Sequence, residues 1–191
     1  IEGLTHHIAL QNIPHLFVIV FLSLKIFAFV LMVLSFIKIF YLVYSTNLFS
    51  KKLFCKIFPS PEWFAVLVNK VNKNLKTSIK FQITDSPVRF TGVIGILNPV
   101  VIIPKKLFLL LNEEELEALM YHEGGHIINR DNTVRFIIHI CKSLLFFLSF
   151  KKKLYDNWSI ERDIICDELA VSYTNDPLNL ASAVMKTLKL S

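Results

Sequence analysis

No Cys-x-x-Cys pair occurs in this sequence, and its three cysteines (Cys55, Cys141, Cys166) leave one without a mate. A disulfide framework is thereby excluded, and the thiols read as buried or free in a reducing compartment. Residues 13–44 hold no glycine and no internal turn signal. A helix of that length rises roughly 48 Å against a bilayer core of about 30 Å, so one span is predicted and a hairpin of two is excluded. No small-residue cleavage site accompanies this apolar run, which sets aside a cleaved signal peptide. Lys and Arg are missing before Lys25, whereas Lys51, Lys52 and Lys56 follow the run closely. That asymmetry places everything after residue 50 on the cytoplasmic side of a membrane. There is no internal repeat, no low-complexity tract and no nucleic-acid motif.

What is present points the same way. Hydrophobic residues make up 53% of the chain and 17 residues are Phe, an excess typical of membrane-attached proteins. The net charge of +6 comes from dispersed lysines. Beside such apolar segments it suits anionic lipid rather than nucleic acid. The predicted span falls within about 16–44; Lys25 and Lys38 can snorkel near its ends, with Tyr41 and Tyr44 at an interface. The expected division is therefore 1–50 for the membrane helix and 51–191 for a compact domain.

That domain alternates helical and extended signals. "PEWFAVLVNKVNKNL" spaces Phe64, Leu67, Val68, Val71 and Leu75 helically, with Pro61 suited to the first turn. "SIKFQITD" alternates as a strand. "GVIGILNPVVIIP" is β-branched and apolar, and Pro99 inside it predicts an edge strand over 93–103. Asn112 with Glu115 forms a capping box opening the next helix. In residues 134–150, Arg135, His139, Lys142 and Ser149 line up on one face, which predicts an amphipathic helix rather than a second span. A further helix breaks at Asn175-Asp176-Pro177 before a terminal one.

Chemistry concentrates in "LEALMYHEGGHIINRD". On a helix, residues four apart stack, so His122 and His126 present their imidazoles to one point and Glu123 lies beside it. Neutral imidazoles suit Zn²⁺, and a neighbouring carboxylate can take a proton from water that the metal activates. Gly124 and Gly125 each cost roughly 1 kcal/mol against Ala in a helix. They leave room for another helix or a substrate backbone to approach. A third ligand must come from elsewhere, and "IERDIICDELAV" offers Glu161, Asp163, Asp167 and Glu168. Asp163 and Asp167 share a face with Ile160, Ala170 and Val171, where an unpaired charge is costly. Zinc ligation by Asp163, with Asp167 accepting from a ligand imidazole, satisfies both; surface pairing with Arg162 and lysines is the plainer alternative.

The ordered blocks "GILNPVVIIP", "LNEEELEALMYHEGGHIINRD" and "DIICDELAV" resemble the BlaR/MecR-type membrane metallopeptidases. The HtpX and CAAX-prenyl-protease types of gluzincin are the next nearest. The resemblance covers roughly residues 60–190. It implies His122 and His126 as ligands, Glu123 as catalytic base, and Asp131 and Asp167 as supports for the ligand histidines. It also implies that the strand at 93–103, with Gly95, Ile96, Leu97 and Asn98, binds extended substrate by edge pairing, in keeping with the edge-strand reading. Where the family pattern has a glutamate four residues before the Cys-Asp aspartate, this chain has Asp163, and Glu161 is the fallback. A shared metal site also requires that 134–150 not cross the bilayer, because only residues 151–162 would remain for the return.

The expected fold is α+β, mostly helical: a transmembrane helix plus a small gluzincin-like zinc domain whose short sheet carries an exposed edge. The expected activity is that of a membrane zinc endopeptidase with one Zn²⁺, acting on protein or peptide substrates beside membrane lipid. The rival is a non-catalytic signalling or interaction module in which zinc only clips helices together. His139, Tyr155 and Arg130 stand as unranked candidates for stabilising an oxyanion.

Overall fold

The structure, a computed structural model, describes residues 2–54, 57–85, 90–96, 98–144 and 151–190. It divides into two compact units, Ile1–Leu42 and Val43–Ser191. The first is part of helix α1 (Glu2–Phe54). Within α1, Phe17–Ser45 is long and apolar enough to cross a membrane, and none of it is buried in protein. Its phenylalanines and aliphatic side chains stand largely exposed, as a lipid-facing helix requires.

The second unit is mostly helical with one small sheet, the α+β class expected. Helix α2 (Glu62–Leu75) buries Phe64, Val71 and Leu75, the helically spaced apolar positions, and ends on Lys76 in the left-handed region. Strand β1 (Lys80–Thr84) buries Phe81, Ile83 and Thr84. Strands β2 (Gly92–Ile94) and β3 (Val100–Pro104) follow, in the order β1-β3-β2. β3 runs parallel to β1 and antiparallel to β2.

This corrects the expectation of one edge strand over 93–103. Gly95 has φ 96°, and a Cβ there would come within 2.7 Å of the Asn98 carbonyl oxygen, so the chain reverses at this point. Only glycine adopts that conformation without strain. Pro99 precedes β3 rather than interrupting it, so its missing N–H costs no ladder bond, and β3 lies buried at the centre. The edge positions belong to β1 and β2. Gly95, Ile96 and Asn98 lie in the connection between the two strands, and Leu97 lies outside the described residues.

After the short helix α3 (Lys105–Leu110) comes α4 (Glu113–Ile128), opened by the expected capping box. Glu115 N–H donates to Asn112 Oδ1 at 2.7 Å, and Asn112 N–H to Glu115 Oε2 at 2.9 Å. Glu115 is also gripped from α7 (Pro177–Leu190), by Lys186 Nζ at 2.6 and 2.7 Å and by the Ser182 hydroxyl at 2.5 Å. Burial alone would raise this carboxyl, but those hydrogen bonds outweigh it and hold it below its ordinary value. Helix α5 spans Asp131–Leu144 and α6 spans Lys151–Thr174; residues 145–150 of the predicted amphipathic stretch lie outside the described residues. Among the described residues, α1 alone carries a stretch suited to crossing a membrane. The break at 175–176 is present: Asn175, at φ 54°, turns the chain, and Asp176 Oδ1 accepts from Leu178 N–H to cap α7.

Candidate metal centre

Helix α4 brings His122 and His126 onto one face, with ring centroids 4.9 Å apart. Each ring is oriented by a carboxylate from a different helix. His122 Nδ1–H donates to Asp167 Oδ1 of α6 at 2.7 Å, and His126 Nδ1–H to Asp131 Oδ2 of α5 at 2.7 Å. A carboxylate partner fixes the Nδ1–H tautomer and leaves the Nε2 lone pair free. Those two Nε2 atoms face each other at 3.3 Å, and Asp163 Oδ1 stands 3.6 Å from His126 Nε2.

Asp131 reaches His126 because of a sharp local turn. Asn129 N–H closes onto Gly125 O, and Arg130 takes a left-handed φ of 55°. α5 then starts at Asp131, where the helix N-terminus favours a negative charge. The other oxygen of this fully buried carboxylate accepts from Arg162 Nε of α6 at 2.9 Å. Arg162 therefore pairs with Asp131, not with the carboxylates on its own helix. Glu161 is exposed and, among the described residues, has no hydrogen bond or ion pair to either histidine.

The two glycines explain how α6 comes so close. A Cβ on Gly125 would meet Cys166 Sγ at 3.0 Å and Leu169 Cδ2 at 3.1 Å; one on Gly124 would meet Leu75 Cδ1 at 2.6 Å. Both glycines thus admit neighbouring structure, α6 on one side and the end of α2 on the other. The stacked rings of Tyr121 and Tyr173, centroids 4.8 Å apart, tie α4 to α6 further along.

Glu123 is buried beside the histidines, and its carboxyl is pushed up to about 7. Burial is the main cause; Asp163 adds to it, while His122 and Arg135 oppose it. His122, Glu123, His126 and Asp163 line a cleft of about 330 Å³ whose opposite wall includes Thr91, Gly92 and Val93. Asn132, next to Asp131, donates from Nδ2 to Val93 O at 3.0 Å and Gly95 O at 2.9 Å, fastening the edge strand to α5. Asn132, Arg135 and Arg162 were not singled out from the sequence for these positions; no local pattern links Asn132 to a strand 39 residues earlier.

Whether these residues suit a metal is decided by the donor set. With both Nδ1 protons given to carboxylates, three acceptors converge and share no proton, an arrangement that a cation relieves. Two zinc ligands at roughly 2.0–2.1 Å on a tetrahedron stand about 3.3 Å apart, the separation of the imidazole nitrogens here. A second group of ligand atoms, from His126, Asp131 and Cys166, lies within 4.8 Å of one another. There the Nδ1 proton and Arg162 already satisfy Asp131, and the Cys166 thiol is pushed up to about 12, chiefly by burial and then by the Asp131 charge. A neutral thiol binds metal poorly. The Nε2 side is the better fit.

Residues 6–189 match the family described as BlaR1 peptidase M56. A protein named protease HtpX homolog, from Archaeoglobus fulgidus, is 30% identical over 91 residues, which is 47% of this chain and 27% of that relative. The chain thus spans about a quarter of the length of the curated relative it matches. A metallopeptidase family implies a metal. With most of its length matched, the chain belongs to the BlaR1 peptidase M56 family of membrane metallopeptidases.

Proposed function

We propose that this chain is a membrane-anchored zinc endopeptidase, with His122, His126 and Asp163 as metal ligands and Glu123 as general base. The observation that carries the reading is the pair of Nε2 lone pairs 3.3 Å apart, with Asp163 and Glu123 in the same cleft. A zinc ion held there would polarise a carbonyl and lower the pKa of water to about 7. Asp167 and Asp131 hold the imidazoles in the tautomer that ligation needs. Glu123 accepts the proton of the attacking water and returns it to the departing nitrogen, as a carboxylate in the same cleft can.

The substrate is an extended segment of a membrane or membrane-proximal protein, lying along β2. The contacts expected at Gly95–Asn98 move to Thr91–Val93, since Asn132 already occupies the carbonyls of Val93 and Gly95. With basic residues after the span, the cleft faces the cytoplasmic side, and the bacterial inner membrane is the setting proposed. Replacing Glu123 by Gln keeps shape and removes the base. The expected outcome is zinc retained at one equivalent and peptide cleavage abolished; cleavage that persists in E123Q sinks the assignment.

One observation favours a second reading, in which zinc only clips α4 to α6. Asp163 stands where the family pattern has a glutamate, and its carboxylate lies 3.6 Å from His126 Nε2. A site whose fourth position is filled by protein, leaving none for water, would bear out that reading.

A further inference from the structure

The cleft contains two buried polar groups that the fold leaves unsatisfied. Thr91 Oγ1 and Arg135 Nε are both shielded from solvent, and neither has a hydrogen-bond partner among the described residues. Both residues line the cleft that holds His122, Glu123 and Asp163. Arg135 is the one Lys or Arg among its lining residues. The two groups reach it by a common route. Asn132 ties α5 to β2 at Val93 and Gly95. Arg135 lies about 4.5 Å along α5 from that tie, and Thr91 about 6.8 Å along the strand.

A buried donor without a partner is costly, and such donors persist where a ligand completes them. His139 and Tyr155, candidates for this role by sequence, do not line the cleft; their rings lie tilted against each other, centroids 6.4 Å apart. Arg130 is exposed and serves the left-handed turn before α5.

We propose that Arg135, together with Thr91, stabilises the oxyanion: the guanidinium N–H and the hydroxyl donate to the scissile carbonyl oxygen as it gains charge. As the water oxygen bonds to the carbonyl carbon, Glu123 takes the water proton and the π pair moves onto the carbonyl oxygen, where both donors meet it. When that pair returns, the C–N bond breaks and the nitrogen leaves with the proton from Glu123. Arg135 is then a catalytic residue of the peptidase reading above, on which this inference rests.

The test uses the full chain in detergent, with a quenched fluorescent peptide as substrate and a phosphonate peptide as tetrahedral mimic. R135Q is expected to lower kcat about 10²–10³-fold, with KM and zinc content unchanged. R135K should recover part of the loss, and T91V should show a smaller one. Affinity for the phosphonate should fall in parallel, while E123Q and the R135Q/E123Q double variant bind the plain peptide equally. Should R135Q fail to fold, R135K and T91V carry the same comparison. A raised KM with kcat intact, or a loss that depends on an acidic residue in the peptide, overturns the proposal in favour of a substrate-carboxylate anchor. Unimpaired R135Q in an active background overturns it outright. A wild type that neither cleaves peptide nor binds zinc overturns the peptidase reading instead.

Discussion

Each imidazole of the α4 pair has one nitrogen committed to a carboxylate, so on the proposed reading metal affinity would depend on residues that need never touch the metal. Asp167 is half-exposed on α6, yet it alone sets the orientation of His122. Asp167→Ala should weaken zinc binding about 10–100-fold with little change in folding, as read by competition with a chromophoric chelator. Glu123 supplies a second expectation. Burial raises its carboxyl to about 7, above the unfolded value of about 4.3. The folded, metal-free protein therefore holds an extra proton between those values. Its stability is greatest below the lower value and falls as pH rises through the window, which urea titrations at pH 5 and pH 8 would register. A dication nearby lowers the carboxyl, so the acid limb of kcat/KM in the zinc-loaded protein should lie below 7. Much of this was legible in the sequence, because His-Glu-x-x-His and the Asn112–Glu115 box act within one or two helical turns. Arg162 reaching Asp131 and the unpartnered Nε of Arg135 were not, since both depend on how three helices meet.

The candidate metal centre lies where α4, α5 and α6 meet, and its weakest margin is the glycine contact between α4 and α6. A methyl group at Gly125 would press on Cys166 Cβ at 3.3 Å as well as on its sulfur, a neighbour fixed close to its own backbone. Gly125→Ala gains roughly 1 kcal/mol of helix propensity. It also pushes away the helix that carries Asp163 and Asp167. The expected result is a protein of near wild-type helicity by circular dichroism with clearly weakened zinc binding; unchanged zinc affinity would show that α6 can yield. Gly95 and the Asn98-Pro99 pair are turn signals, but the β-branched residues on both sides masked them. The sequence pattern predicts one strand where there are two, and an edge where the central strand lies.

For the whole molecule, the apolar face of α1 and the charge distribution make a topological prediction. Phe17–Ser45 should keep the chain in the membrane fraction after alkaline carbonate extraction. A reporter fused after Ser191 should be active in the form that works only in the cytoplasm; activity on the opposite face would reverse the orientation drawn from Lys51, Lys52 and Lys56. The amphipathic character expected for 134–150 is consistent with this arrangement over the described part of α5, which is half-buried along its length and stays with the domain.

The bridge from Asn132 to the carbonyls of Val93 and Gly95 has a consequence for life in a crowded membrane. An open strand edge is a template on which other chains can grow a sheet, and a protease that grips extended segments cannot simply bury its own. Here the edge strand is three residues long, and a side-chain amide already occupies two backbone acceptors at and just beyond its end. On the peptidase reading proposed above, a guest segment would find room for a few rungs beside Glu123 and no more. This edge would then hold a strand for cleavage while offering it too short a ladder to seed an aggregate.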